Sequence, residues 1–372
     1  MSAVTKVSHI AIDARIINST TGRYVERLLS HLQNIDHTNV YSVLVQAKDQ
    51  AYWVPINPNF TVRVADFDNY SFAEQFGFRR FLKALKPDLV HFCMPQQPVW
   101  YKGKKVTTFH DLSLIKTYNS DKNWFIFHAK QLVGKFAFRK VARDNDHLIS
   151  ISQYTKKELL QFTPIPEEKI TVIYESSDVA DGPTKAYGLP YKNYLLYVGQ
   201  QSDYKNVQRL GDAHQKLLET YPELGLVLVG RKNASAMTNE AYFQKKDYRN
   251  IVFTDFVEDT QLNWLYAHAT AYVFPSLMEG FGLPGLEAMG HGTPVVSSNA
   301  TCLPEIYGKA AHYFNPTSTN DMVRAITEVL GNERLRMKLS KDGYEQIKKY
   351  SWKRMAEQTY QVYSDVLNPT VK

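Results

Sequence analysis

The chain has 372 residues, 44% of them apolar and 22% charged, with a net charge of +7; this is the balance of a soluble globular protein long enough for two domains with separate cores. The positive excess lies in the N-terminal half, where residues 1–180 carry 23 Lys and Arg against 17 Asp and Glu, while the remainder carries 21 against 20. No apolar run approaches the ~20 residues needed to cross a bilayer, and two cysteines, Cys93 and Cys302, without metal-ligand spacing exclude a disulfide framework and a zinc site.

The N-terminus reads as a strand, because its short alternating apolar stretch runs straight into Asp13, and not as a signal peptide; the expected location is cytoplasmic. Short β-branched runs then recur at 7–12, 40–45, 61–64, 89–92, 106–109, 148–151 and 170–173, many separated by helical patterns such as 23–32 and 156–162. This is βαβ rhythm. A loose stretch from 176 to 192, with Gly182, Pro183, Gly188 and Pro190, interrupts it, and the rhythm restarts at 194–198, 226–229, 251–253, 271–274 and 293–297. The expected organisation is a first doubly wound domain over 1–178, a linker over 179–192, a second doubly wound domain over 193–350 and a last helical segment over 351–372.

Ligands of open parallel sheets bind outside the carboxyl ends of the strands, so the loops after the strands matter most. After the first strand, Thr21 is placed to cap a helix that opens at Gly22. After the fifth comes Phe109-His110-Asp111, where Asp111 suits a turn cap or a partner for the imidazole, the cap being favoured. Ser152 suits the cap of the helix that follows the sixth strand. In the second half, Val198-Gly199 leads to Lys205-Asn206 before a helical pattern over 207–218, and Val229-Gly230-Arg231 ends the next strand. Asp255 comes after the strand at 251–253, placed either to cap the next helix or to face a ligand.

The segment PSLMEGFGLPGLEAMGHGTPVVSSNATCLP, residues 275–304, is the most informative part of the chain. It comes after an apolar strand and runs through a glycine loop into a helix, an arrangement that presents backbone N–H groups and the positive end of the helix dipole to an anion. Glu279 precedes the helix and Glu287 lies within it. Carboxylates accept from sugar hydroxyls, so anion-binding backbone flanked by carboxylates suits a ligand that is both phosphate and sugar.

Residues 279–289, EGFGLPGLEAM, and 292–296, GTPVV, resemble the signature of the retaining, nucleotide-sugar-dependent glycosyltransferases of family 4, also called group 1. The resemblance implies the GT-B fold: an α/β protein of two doubly wound, Rossmann-like domains facing a central cleft, with a C-terminal helix crossing back to the first domain. It also implies roles for single residues. Glu287 would bind the ribose hydroxyls, and Glu279 with the backbone of Gly280, Phe281, Gly282 and Leu283 would hold the donor sugar and its phosphate. Lys205 would neutralise the leaving diphosphate, while the arginine that often accompanies it is missing and Gln200 and Tyr204 stand in its place. His110 would lie beside the donor sugar near its anomeric carbon. Gly22 would bring backbone close to the donor diphosphate and the acceptor, Gly199 would belong to the donor-binding loop that leads to Lys205, and Gly230 would face the nucleotide. Asp255, where relatives carry glycine, would accept from guanine N1–H and N2–H, which leans the donor towards GDP-mannose; Arg231 is a candidate for the missing positive charge or a solvated surface arginine.

The activity implied by the resemblance is hexose transfer with retention, without a metal or other cofactor, onto a glycan or lipid-linked acceptor of a cell-surface polysaccharide or glycolipid. Two other readings stand beside it: a different sugar-nucleotide enzyme of this architecture, such as a non-hydrolysing epimerase, and a non-catalytic paralogue that binds a nucleotide sugar or a partner. The basic clusters Arg79, Arg80, Lys83 and Lys86, and Lys130, Lys135, Arg139, Lys140 and Arg143, are interleaved with Phe76, Phe78, Phe81, Trp124, Phe125, Phe127, Phe136 and Phe138. They fit either solvated helix faces covering a sheet or an anionic membrane surface as a partner. Nucleic acid is not expected, since no recognised binding motif accompanies the charge.

Overall fold

The computed structural model describes residues 7–116, 124–178 and 182–369. The chain forms two compact units, Met1–Glu175 with Ser351–Lys372, and Ser176–Tyr350. The first is built on seven strands, β1 (His9–Asp13), β2 (Val40–Val45), β3 (Phe60–Val64), β4 (Leu89–Phe92), β5 (Lys105–Phe109), β6 (His147–Ser150) and β7 (Ile170–Val172), in the order 3-2-1-4-5-6-7. The second has six, β8 (Tyr194–Val198), β9 (Gly225–Val229), β10 (Ile251–Asp255), β11 (Ala271–Phe274), β12 (Val295–Ser298) and β13 (Ala311–Phe314), in the order 10-9-8-11-12-13. Every pairing among them is parallel.

Parallel strands covered by helices on both faces read as near-continuous apolar runs. Ile10, Ala11 and Ile12 of β1 and Leu195, Leu196 and Tyr197 of β8 are accordingly all fully buried. The strand that the sequence reading lacks is β13, where His312 and Tyr313 are only partly buried and interrupt the apolar run.

In each sheet the strand order reverses once, between β1 and β4 and between β8 and β11. These are the switch points at which doubly wound sheets open a crevice for ligand. The helix Gly22–Ile35 buries Tyr24, Val25, Leu28, Leu29 and Leu32 on one face. The last helix, Trp352–Leu367, buries Trp352, Met355, Ala356, Thr359, Val362 and Tyr363, and the two pack together, so the end of the chain belongs to the first unit. Each such large apolar side chain contributes about 1.5–3 kcal/mol on burial.

The basic, aromatic clusters separate by environment. Phe78 and Phe138 are core residues, and Phe81 packs against the core, so these rings are not part of an exposed aromatic surface. Phe76 and Phe136 are 56% and 59% exposed. The side chains of Trp124, Phe125, Phe127 and Lys130 lie outside the described residues.

Candidate active site

In the second unit, the loops after β8 and β11 meet at the switch point. Lys205 lies beyond β8 and Glu279 beyond β11; Lys205 Nζ donates to Glu279 Oε1 at 2.7 Å, with the two side chains only 16% and 11% exposed. Burial works against the ammonium's charge, but the Glu279 carboxylate and the hydroxyls of Tyr197 and Tyr204 outweigh it and raise the lysine pKa above its ordinary value. The Tyr204 and Phe274 rings lie 5.2 and 5.7 Å from Nζ, in cation–π range.

Neighbouring groups set the backbone on either side of this pair. Asn206 takes a left-handed conformation, φ 60°, and its amide donates to the carbonyls of Pro275 and Pro316, tying the two loops together. Arg209 Nη1 braces Asn206 Oδ1 and Pro316 O at 2.8 and 2.9 Å, a local cation that the sequence reading did not consider. Glu279 N donates to Thr301 Oγ1 at 3.1 Å, and Cys302 Sγ donates to Glu279 O. Thr301 holds φ 55°, rare for a β-branched residue.

Gly280, Phe281 and Gly282 are buried, and Leu283 begins the helix Leu283–Gly290. Gly282 has φ 100°, and a Cβ on it would lie 2.5 Å from the Tyr307 hydroxyl, which instead donates to the Gly282 carbonyl. Glycine is required there by both conformation and space. Neither Gly282 nor Asn206 caps its helix with a side chain, whereas Asn233, Ser318 and Asn332 cap theirs. One turn into the helix, Glu287 is partly buried and its Oε2 accepts from the Tyr266 hydroxyl at 2.9 Å.

Gly199 and Gly230 lie back to back at the ends of β8 and β9. Gly230 has φ 155°, and a Cβ there would come within 2.3 Å of the Gly199 carbonyl oxygen. Asp255 caps no helix: the next one begins at Asp259, and a register shift at Phe253/Asp255 turns the Asp255 carboxylate back to accept from Lys232 N at 2.8 Å. Arg231 is exposed, with its guanidinium 5.8 Å from the Phe256 ring, so the surface reading holds for it.

In the first unit, His110 sits where β5 ends. Its Nδ1 is 3.0 Å from Glu175 Oε1, beyond β7, and its Nε2 is 3.0 Å from the carbonyl of Cys93, beyond β4. Burial opposes protonation, yet the bond to Glu175 and its charge, with the Cys93 carbonyl and Asp111, raise the pKa above the ordinary histidine value of 6.5. Asp111 caps the turn after it, accepting from Ser113 N at 2.8 Å, and Ser152 caps its helix by accepting from Thr155 N. The ring of Tyr24 meets His110 edge-on at 4.9 Å. Thr21 forms no side-chain cap, and Gly22 is buried with the Ile17 carbonyl oxygen only 1.8 Å from where a Cβ would stand.

Glu175, Thr301, Tyr307 and Tyr266 were not among the residues expected from sequence. The chain contains two Asp-x-Asp sequences, Asp66-Phe67-Asp68 and Asp144-Asn145-Asp146, and three of their carboxylates have local partners. Asp66 accepts from Ala47 N, Asp144 pairs with Lys140, and Asp146 accepts from Lys105 N.

Two doubly wound units, each with polar groups gathered at the carboxyl ends of its strands, define the GT-B class of fold. The chain matches the family model for glycosyl transferases group 1 over residues 185–346 and that for glycosyltransferase family 4 over residues 21–180. It is 30% identical over 277 residues to the O-antigen chain mannosyltransferase B of Escherichia coli, covering 70% of each chain. Among solved structures it is similar to sucrose-phosphate synthase from Thermosynechococcus elongatus (TM-score 0.76, 18% identity, 96% and 99% of the two chains covered). It is also similar to Anabaena HepE in complex with UDP and glucose (TM-score 0.73, 14% identity, 97% and 100% covered). The chain belongs to the group 1 glycosyltransferases of family 4.

Proposed function

We propose that this glycosyltransferase moves a hexose, mannose from GDP-mannose being the favoured donor, onto a glycan or lipid-linked acceptor in cell-surface polysaccharide or glycolipid synthesis, with retention of configuration and without a metal. The observation that carries the reading is the largely shielded Lys205 and Glu279 pair at the switch point of the second sheet. The mannosyl lean draws on the O-antigen mannosyltransferase relative.

In this reading the donor diphosphate takes over Lys205, and the uncapped N-termini of the helices at Val207 and Leu283 add positive potential. Glu279, released from the lysine, accepts from sugar hydroxyls, and Glu287, oriented by Tyr266, accepts from the ribose. Gly22, Gly199 and Gly230 allow backbone to approach the nucleotide and diphosphate. Asp255 supplies the guanine preference if its carboxylate exchanges Lys232 N for the base. Departure of the nucleoside diphosphate leaves positive charge on the anomeric carbon. The acceptor hydroxyl attacks from the same face, and a phosphate oxygen takes its proton.

Contact with an anionic membrane bearing the acceptor belongs to the same proposal. Support comes from Phe72 and Phe76, 85% and 56% exposed, near exposed Arg80, Lys83 and Lys86 in sequence, and from exposed Leu132, Val133, Phe136 and Arg139 on the helix Trp124–Asp144. A cytoplasmic, peripheral location would be the consequence; no helix among the described residues is long and apolar enough to cross a membrane.

The test is incubation with a panel of nucleotide sugars, monitoring free nucleoside diphosphate. Slow release, greatest from GDP-mannose and lost in Glu287→Ala and Lys205→Ala, is the expected result. Binding without turnover in the presence of lipid acceptors would favour a non-catalytic paralogue and overturn the proposal.

A further inference from the structure

We propose that Glu175 is the positioning residue of His110, its carboxylate and the Cys93 carbonyl together locking the imidazole in one orientation with a proton on each ring nitrogen. The inference rests on the reading of His110 as part of the transfer site. A carbonyl oxygen only accepts, so the Nε2 atom 3.0 Å from Cys93 O must carry a proton. The Nδ1 atom faces a carboxylate oxygen at the same distance, and a bare nitrogen lone pair would repel it. With a neutral ring one of these two contacts is unfavourable; with a charged ring both are bonds.

The surroundings agree. Glu175 and His110 are 5% and 12% exposed, so the pair is shielded from water. Thr155 Oγ1 donates to the His110 carbonyl at 3.3 Å and fixes its backbone, while Tyr24 closes one side of the ring. The titratable groups packed around the ring are Glu175, Asp111, Tyr24, Cys93 and His91. Burial raises the Tyr24 phenol and the Cys93 thiol, and both stay neutral. Burial, with a smaller contribution from His110, pushes His91 down to about 3, so it too is neutral. The Asp111 carboxylate is engaged by Ser113. Glu175 is thus the anion in direct contact with the ring.

The chemical consequence is specific. An imidazolium held at both nitrogens has no lone pair, so His110 is not the base that takes the acceptor's proton, and that proton goes to a leaving phosphate oxygen. Because Glu175 balances its charge, the pair also does not repel the positive anomeric centre.

The test uses the full chain with 15N-labelled histidine, His110 being assigned by loss of its signals in His110→Gln. Both ring nitrogens should show the imidazolium signature at pH 7.5, and Glu175→Gln should lower the titration midpoint by about one to three pH units. Glu175→Asp should recover part of that loss, and a thermal melt verifies folding of each variant. Glu175→Gln should also lower kcat more than about tenfold while GDP and UDP affinities stay within about twofold of wild type. A neutral His110 tautomer in the wild type, or an unchanged midpoint in Glu175→Gln, would overturn the proposal. The nuclear resonance readout needs no donor, so its failure is distinct from absence of sugar transfer.

Discussion

Glu279→Gln removes one charge from a pair 2.7 Å apart and leaves the largely shielded Lys205 ammonium without its carboxylate. Breaking a buried pair costs about 3–5 kcal/mol. The residual exposure of 16% and 11%, and the two aromatic rings that remain beside Nζ, place this case near the lower end, at about 3 kcal/mol. In a unit of this size about 3 kcal/mol corresponds to roughly 6–12 °C of melting temperature. Lys205→Met/Glu279→Gln removes both charges and keeps the methylene packing, so it should be more stable than Glu279→Gln alone. A double-mutant cycle by denaturant unfolding reads this coupling directly. If Lys205 holds the diphosphate, saturating GDP should also raise the melting temperature of Glu279→Gln by more than it raises that of the wild type. A Glu279→Gln protein within about 1 kcal/mol of wild type, or a strictly additive double variant, would refute the reasoning.

Gly230→Ala should destabilise by more than about 3 kcal/mol, since its Cβ would meet the Gly199 oxygen at 2.3 Å in a conformation alanine avoids; Gly188→Ala, with nothing within 4 Å, should change stability by under about 1 kcal/mol. Tyr266→Phe frees Glu287 from its hydroxyl partner at 2.9 Å and should weaken GDP binding about three- to tenfold, with no difference for 2′,3′-dideoxy-GDP; calorimetry decides, and equal loss for both ligands would remove the ribose role. The His110 ring titrates higher folded than unfolded, so its contribution to stability is complete below the unfolded value near 6.5 and disappears as pH rises through the folded value. Over that window the wild type should lose melting temperature relative to Glu175→Gln; parallel curves would show that the pair carries no such linkage.

The sheets were legible because strands covered on both faces must be written as short apolar runs, and the loops were legible because chemistry in such sheets gathers where strands end. Lys205, Glu279 and His110 stand in those loops, and Glu287 lies in the helix that one of them opens, all four marked by residue type. Glu175 carried no such mark. Its contact with His110 spans 65 residues and exists because β7 belongs to the same sheet as β5, which local pattern does not reveal. The Cys93 contact is made by a backbone carbonyl and has no side-chain signature at all. Asp255 had two readings, a helix cap or a ligand contact, and only the structure removes the cap: the register shift in β10 aims its carboxylate at Lys232 N. Tyr307 lies 25 residues from the glycine it underpins, so Gly282 reads as a phosphate-loop glycine from sequence while its packing against that ring stays hidden.

The central claim is that the loops after β8 and β11 form the donor site, with Lys205 as its cation. Calorimetric titration of GDP into the wild type, Lys205→Met and Glu287→Ala, each shown to be folded by its melt, tests it most directly. The account predicts saturable binding by the wild type and at least about tenfold weaker binding by each variant, the loss expected when a charge-assisted contact of about 1.5–3 kcal/mol is removed. Equal affinity in all three would contradict it.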